Sequence, residues 1–181
     1  MSAAARSSTG HVVLVGMMGV GKSSLAKRIG RALGRPVLDT DAEIVARTGR
    51  SIPEIFAADG EAAFRDLEVA TLGELLARPE PSIIAAAGGI VLRPENRRAL
   101  AHAGTVIWLR APVEVLLDRV SRGTHRPALA TDPEGTLREM EQTREALYAE
   151  VADLSFDTSR PFDAALAEIL AAVADRESVP T

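Results

Sequence analysis

The stretch that most restricts the fold is GMMGVGKSS, residues 16–24. An apolar run, VVLV at 12–15, leads into it, and a helical pattern starts at Lys22. Gly16, Gly21, Lys22 and Ser23 match G-x-x-x-x-G-K-[ST]. Each position has a physical task. The glycines let the backbone wrap an anion with its N–H groups turned inward. The helix that follows adds the positive end of its dipole. The lysine reaches the β- and γ-phosphates, and the serine hydroxyl suits Mg²⁺. A random chain of this length carries the pattern on the order of once in a hundred, and here it sits between a strand and a helix. The candidates for nucleotide binding are therefore Gly19, Val20, Gly21, Lys22, Ser23 and Ser24.

The remaining pattern repeats that unit. Short β-rich runs at 12–15, 36–39, 82–87, 105–110 and 154–158 alternate with helical stretches at 22–33, 41–48, 61–77, 94–103, 114–121, 133–151 and 161–174. Another helix starts in SIPEIFAADG, with Ser51 as N-cap, a proline in the first turn and Glu54 three residues on. Gly34 and Gly49 read as helix stops. Strands alternating with helices imply a parallel sheet. Because the strands are continuously apolar, both sheet faces should be covered. The expected fold is a three-layer α/β/α domain on five parallel strands, spanning 12–175, with tails at 1–11 and 176–181. Ligands on such a sheet bind beyond the carboxyl ends of the strands.

The second strand ends in Asp39-Thr40-Asp41. Two carboxylates two residues apart on an extended segment share one side. One can hold the water shell of a magnesium ion, and the other can orient or deprotonate an acceptor hydroxyl. Composition narrows the partners. A net charge of −4 and an aromatic content of 3% give no footprint for nucleic acid. No apolar run reaches the length of a membrane span, and the N-terminus lacks a signal-peptide pattern. The absence of cysteine excludes thiolate chemistry and fits a cytoplasmic setting.

Beyond the loop, the chain resembles the shikimate kinase family. The resemblance rests on Asp39 and Asp41, on Arg50-Ser51-Ile52 with Glu54-Ile55-Phe56, and on Gly60-Glu61 with Phe64, Arg65 and Glu68. It resumes at AGGIVL (87–92), HRPAL (125–129) and REALY (144–148), and covers roughly 12–158. It implies a P-loop kinase fold with a substrate-binding helical region at about 41–77 and a mobile lid at about 121–133. The implied reaction is ATP-dependent phosphorylation of the shikimate 3-hydroxyl, giving shikimate 3-phosphate and ADP on the way to chorismate and the aromatic amino acids. The implied enzyme is a monomer.

The resemblance assigns roles one position at a time. Ser23 ligates Mg²⁺ and Asp39 holds it through water. Asp41 binds the ring hydroxyls and is the favoured proton acceptor. Arg65 and Arg144 grip the carboxylate, and Glu68 orients Arg65. Gly88 and Gly89 border the substrate. Arg126 closes over the phosphates, so Lys22, Asp41 and Arg126 form the catalytic set, while Arg119 and Arg160 border the adenine. Guanidinium for carboxylate and aspartate for hydroxyl are chemically apt pairings. One position departs from the family: Ala87 stands where a first glycine is usual. The change matters if that position needs a positive φ or touches a ligand. It leaves open another small hydroxy-acid acceptor, or a ligand-responsive binding protein with little turnover.

Overall fold

Buried apolar runs make the strands. In a computed structural model, which describes residues 10–122 and 132–178, β1 is Val12–Val15, β2 Val37–Asp39, β3 Ile83–Ala85, β4 Thr105–Arg110 and β5 Leu154–Asp157. Among the described residues these five form one parallel sheet in the order β2-β3-β1-β4-β5. Val12 pairs with Ile83 on one side and Thr105 on the other. The central strand is thereby buried on both faces and both edges, and Val12 to Val15 are almost wholly hidden from solvent.

The helices are α1 Lys22–Leu33, α2 Thr40–Thr48, α3 Ile52–Leu76, α4 Pro94–Leu100, α5 Val113–Ser121, α6 Pro133–Val151 and α7 Phe162–Ser178. Gly34 and Gly49 end α1 and α2 in the left-handed conformation, as their positions predict. Ser51 and Glu54 form the full capping box at the start of α3. The two helices expected around Gly60 run together as α3, kinked where Gly60 takes φ 82° and ψ 173°. That backbone belongs to glycine, and a side chain there would meet nothing within 4 Å. Conformation, not crowding, therefore selects the residue.

Several boundaries move. The strand expected over 36–39 begins at Val37, and the one over 82–87 keeps only Ile83–Ala85. The helix expected over 94–103 ends at Leu100, because His102 and Ala103 make i→i−3 turn bonds to Ala99 and Leu100. Both expected tails are cut back. His11 is 1% exposed: its Nδ1 accepts from Ser82 N at 3.0 Å while Nε2 lies 3.1 Å from Arg78 O. One neutral tautomer, protonated on Nε2, satisfies both contacts. At the other end α7 continues to Ser178, and Arg176 and Glu177 pair with Asp153 and Arg35. Apolar periodicity does not reveal such polar ties.

A large core lies around the sheet, and a separate small one joins Ile44, Ile55 and Phe64 of α2 and α3. This second cluster makes the α2–α3 region a unit on the edge of the sheet, held by a few side chains. No described helix is long and apolar enough to cross a membrane.

Candidate active site

The loop between β1 and α1 bends through three left-handed glycines. Gly21, with φ 99°, is the N-cap of α1 and offers no side chain to its first turn. The α1 N–H groups thus keep their capacity for an anion, whereas α2 and α3 spend theirs on Asp39 and Ser51. A Cβ on Gly21 would lie 2.6 Å from the Phe162 ring, so glycine is required by both shape and φ. Lys22 Nζ donates to Gly16 O at 2.7 Å and Met17 O at 2.9 Å, at the mouth of the loop.

A cleft of about 320 Å³ begins here. Gly19, Gly21, Lys22, Ser23 and Ser24 line one side, Asp39, Asp41, Ala87 and Gly88 the other, and Arg119 one end. Val20 is buried beneath it, its carbonyl 3.0 Å from Thr158 Oγ1. Ser23 Oγ donates to Asp39 Oδ2 at 2.8 Å. Among the described residues no group of three or more His, Cys, Asp or Glu could hold a metal. One hydroxyl beside one carboxylate is nonetheless what Mg²⁺ needs when phosphates and water complete its shell, so the residues fit that ion.

The two aspartates reach the cleft by a route different from the one expected. The segment is not extended through Asp41. Asp39 ends β2 and caps α2, its Oδ1 accepting from Asp41 N at 3.1 Å and Ala42 N at 3.3 Å. Asp41 sits in the first helical turn. The helix start, rather than strand alternation, brings both carboxylates to one side.

Arg65 and Arg144 approach the glycine pair from different helices. Arg65 packs so closely on Gly89 that any side chain there would overlap the guanidinium. The φ of Gly89 is an ordinary −89°, so what glycine provides there is room for the Arg65 guanidinium, which any Cβ would displace. A Cβ on Gly88 would stand 3.7 Å from Arg144 Nη1. Arg65 donates to Glu68 Oε2 at 2.7 Å and to Glu61 Oε1 at 2.9 Å. Burial pushes the Arg65 pKa down, but the bonds and charges of Glu68 and Glu61 outweigh it and the pKa rises. Burial raises the Glu68 carboxyl, against the lowering effect of Arg65. Arg144 Nε and Glu68 Oε1 are buried with no hydrogen-bond partner among the described residues. A guanidinium with an unspent donor beside a second, oriented guanidinium suits a carboxylate ligand.

The family comparisons agree with this geometry. The shikimate kinase family model matches residues 18–174. A shikimate kinase of Bordetella pertussis is 51% identical over 148 residues, 81% of this chain and 70% of that protein. One from Burkholderia pseudomallei is 43% identical over 152 residues, 83% and 82% of the two chains. The chain belongs to the shikimate kinase family. Among solved structures, the shikimate kinase of Acinetobacter baumannii in complex with shikimate superposes with a TM-score of 0.86 at 36% identity, covering 94% of this chain and 95% of that one.

Against the shikimate kinase pattern, one cleft gathers the loop residues with Asp39, Asp41, Gly88 and Arg119. Arg160 turns elsewhere: its guanidinium pairs with Glu168 of α7 at 3.1 and 2.9 Å. Arg126 and most of the expected lid lie outside the described residues. Ala87 is free of strain, since no described residue other than glycine has a positive φ. Phe64 is buried and Phe56 half-exposed, with ring centroids 4.6 Å apart.

Some contributors escaped sequence reasoning. Thr158 anchors Arg119 through its hydroxyl at 3.2 Å and its carbonyl at 2.5 Å, and Phe162 lies 5.6 Å beneath the same guanidinium. Thr40 and Tyr148 bind the backbone at Ala87 and Gly88. Nothing local marks a threonine or tyrosine as a partner of a segment tens of residues away. A further cavity, about 480 Å³, opens on the far side of Tyr148 beside Trp108, with Glu141, Glu145 and Asp157 facing Arg110. Its walls are mostly apolar, and its charged residues are three acids against one arginine, which disfavours phosphate.

Proposed function

We propose that the chain phosphorylates the 3-hydroxyl of shikimate with Mg-ATP, giving shikimate 3-phosphate and ADP, as a cytoplasmic monomer. One observation carries the reading. Asp41 faces the same cleft as Lys22 and Ser23, while Arg65 and Arg144 stand over Gly89 and Gly88 on its far side. A small acid bound by the two guanidinium groups would present a hydroxyl to Asp41 and, beyond it, to the phosphates. The shikimate-bound relative supports this choice of acid.

In this reading the Lys22 ammonium exchanges its two loop carbonyls for phosphate oxygens. The loop N–H groups and the start of α1 hold the rest of the triphosphate. Ser23 and Asp39 would hold Mg²⁺, which would supply neutralising positive charge beside the phosphates. Asp41 orients the acceptor hydroxyl for in-line attack on the γ-phosphorus and accepts its proton, as the bond from that phosphorus to the ADP oxygen breaks. Arg119, at the end of the cleft, borders the adenine. Arg126, outside the described residues, closes over the phosphates and excludes water.

The test is ADP release from Mg-ATP, with and without shikimate, for the wild type and Lys22→Ala. The expected result is shikimate-dependent release that falls about a thousandfold in the variant. ATP binding without shikimate-dependent release would overturn the acceptor. Sedimentation at working concentration tests the monomer.

A further inference from the structure

Where β3 ends, the chain leaves the sheet and its backbone groups need new partners. Ala86 N makes the last ladder bond, to Leu14 O at 3.0 Å. Ala87 N then donates to Thr40 Oγ1 at 2.8 Å, inside the protein. Ala87 O accepts from Ile90 N at 3.1 Å. Gly88 O accepts from Tyr148 Oη at 2.5 Å. The Gly88 N–H is left without a protein partner among the described residues, on a segment that lines the cleft. Three consecutive peptide planes are involved. Thr40 holds the first and Tyr148 the third, and the middle one carries the Gly88 N–H. Glycine permits a wide range of orientations for that plane; the turn bond from Ile90 N to Ala87 O tethers its carbonyl, and Thr40 and Tyr148 fix the planes on either side.

Both side chains are built for the task. Thr40 is fully buried between the two aspartates of the cleft, at the first position of α2. Its hydroxyl therefore locks the β2–α2 junction to the glycine segment. Tyr148 is 1% exposed and stacks on Trp108 of β4, with centroids 5.8 Å apart and planes 28° apart. Burial raises its hydroxyl to about 12, although Arg144 opposes the shift. It therefore stays a neutral donor across the working pH range. It also lies one helical turn from Arg144 on α6, so one helix positions a guanidinium and the backbone beside it.

We propose that Thr40 and Tyr148 are a pair of positioning residues for the acceptor: they clamp the Ala87–Gly88 backbone from opposite sides and aim the Gly88 N–H into the acceptor half of the cleft. The clamp also explains why Ala87 is tolerated. With the backbone held by side chains on both sides and no positive φ required, the glycine usual at this position is dispensable. The inference rests on the shikimate kinase reading for the identity of the acceptor, though not for the clamp itself.

Tyr148→Phe removes one oxygen and keeps the Trp108 stack. The shikimate KM should rise about five- to tenfold, with the ATP KM and the melting temperature nearly unchanged. Thr40→Val should act in the same direction, and Thr40→Ser, which restores the acceptor, should return the KM towards wild type. Selective glycine ¹⁵N labelling reads the clamp without substrate. The Gly88 amide resonance should shift or broaden in Tyr148→Phe and Thr40→Val and recover in Thr40→Ser. A Gly88 signal unmoved in Tyr148→Phe overturns the proposal, as does a shikimate KM that stays put while the signal moves. Equal changes in both substrate KM values with a lowered melting temperature would mark a structural role and overturn it as well. Should the wild type fail to turn over shikimate, the acceptor reading falls, and the Gly88 resonance still decides the clamp.

Discussion

In the phosphate cradle, residues 16–24 supply the loop, the lysine and the serines within one strand-to-helix turn. The acceptor half takes Asp41 from α2, Arg65 from α3, Gly88 from the end of β3 and Arg144 from α6. The cradle is mostly backbone, so its shape follows from local glycine conformations and the start of α1. The acceptor half is mostly side chain, and its geometry depends on four elements arriving at the right distances. Polar contacts hold it: Ala87 N to Thr40 and Tyr148 to Gly88 O between elements, and Arg65 to Glu68 within α3. A local site should tolerate distant change and fail when its own residues change. A dispersed site should fail through its supports as well.

The contrast can be broken most sharply at Asp41, which faces both halves. Asp41→Asn keeps the shape and removes the proposed proton acceptor. Transfer should fall by roughly 10²–10⁴-fold with ATP affinity nearly unchanged, as read by kcat and by nucleotide titration. Comparable turnover in the two proteins would remove Asp41 from the chemistry.

Arg65→Lys asks a smaller question of the acceptor half alone. It keeps the charge and loses the planar fork. A rise of roughly ten- to hundredfold in the shikimate KM is expected, against a constant ATP KM. Parallel changes in both would mean that the two halves are not separable.

The smallest effect concerns Glu68, a support that touches no phosphate. Burial lifts its carboxyl above the ordinary 4.5, with Arg65 opposing, Asp41 adding to the rise and Arg144 countering it. The folded protein therefore holds this proton to higher pH than the unfolded chain does. In that window stability falls as pH rises, and the penalty is absent at lower pH, where both states are protonated. Glu68→Gln should make the slope of unfolding free energy against pH less negative above 4.5. Urea titrations at a series of pH values read it, and superimposable slopes would mean that Glu68 titrates as an exposed carboxyl does.

Much of the fold was legible because its signals are short-range. Gly34, Gly49 and the Ser51–Glu54 pair announce helix ends through φ or a capping bond within a few residues. What escaped was long-range and polar. His11 looked like part of a tail because its partners, Ser82 and Arg78, are about seventy positions away. Glu177 looked like part of another because its partner is Arg35. Strand alternation predicts Asp39 and Asp41 on one side of a strand, whereas Asp39 caps α2. Both carboxylates line the cleft beyond the end of β2, brought there by the helix start instead of strand alternation.

The sequence by itself determined the alternating α/β plan, the phosphate cradle, and the residue types of the acceptor half with the family they resemble. These are carried by periodicity, by glycine conformation and by spaced motifs, all within reach of one or two elements. Only the tertiary structure decided which side chains hold those residues in place: Thr40 and Tyr148 on the glycine segment, Thr158 and Phe162 under Arg119, Glu168 on Arg160. A buried hydroxyl or carboxylate finds its partner wherever packing leaves an unpaired group. That choice is made in three dimensions, after the core has formed.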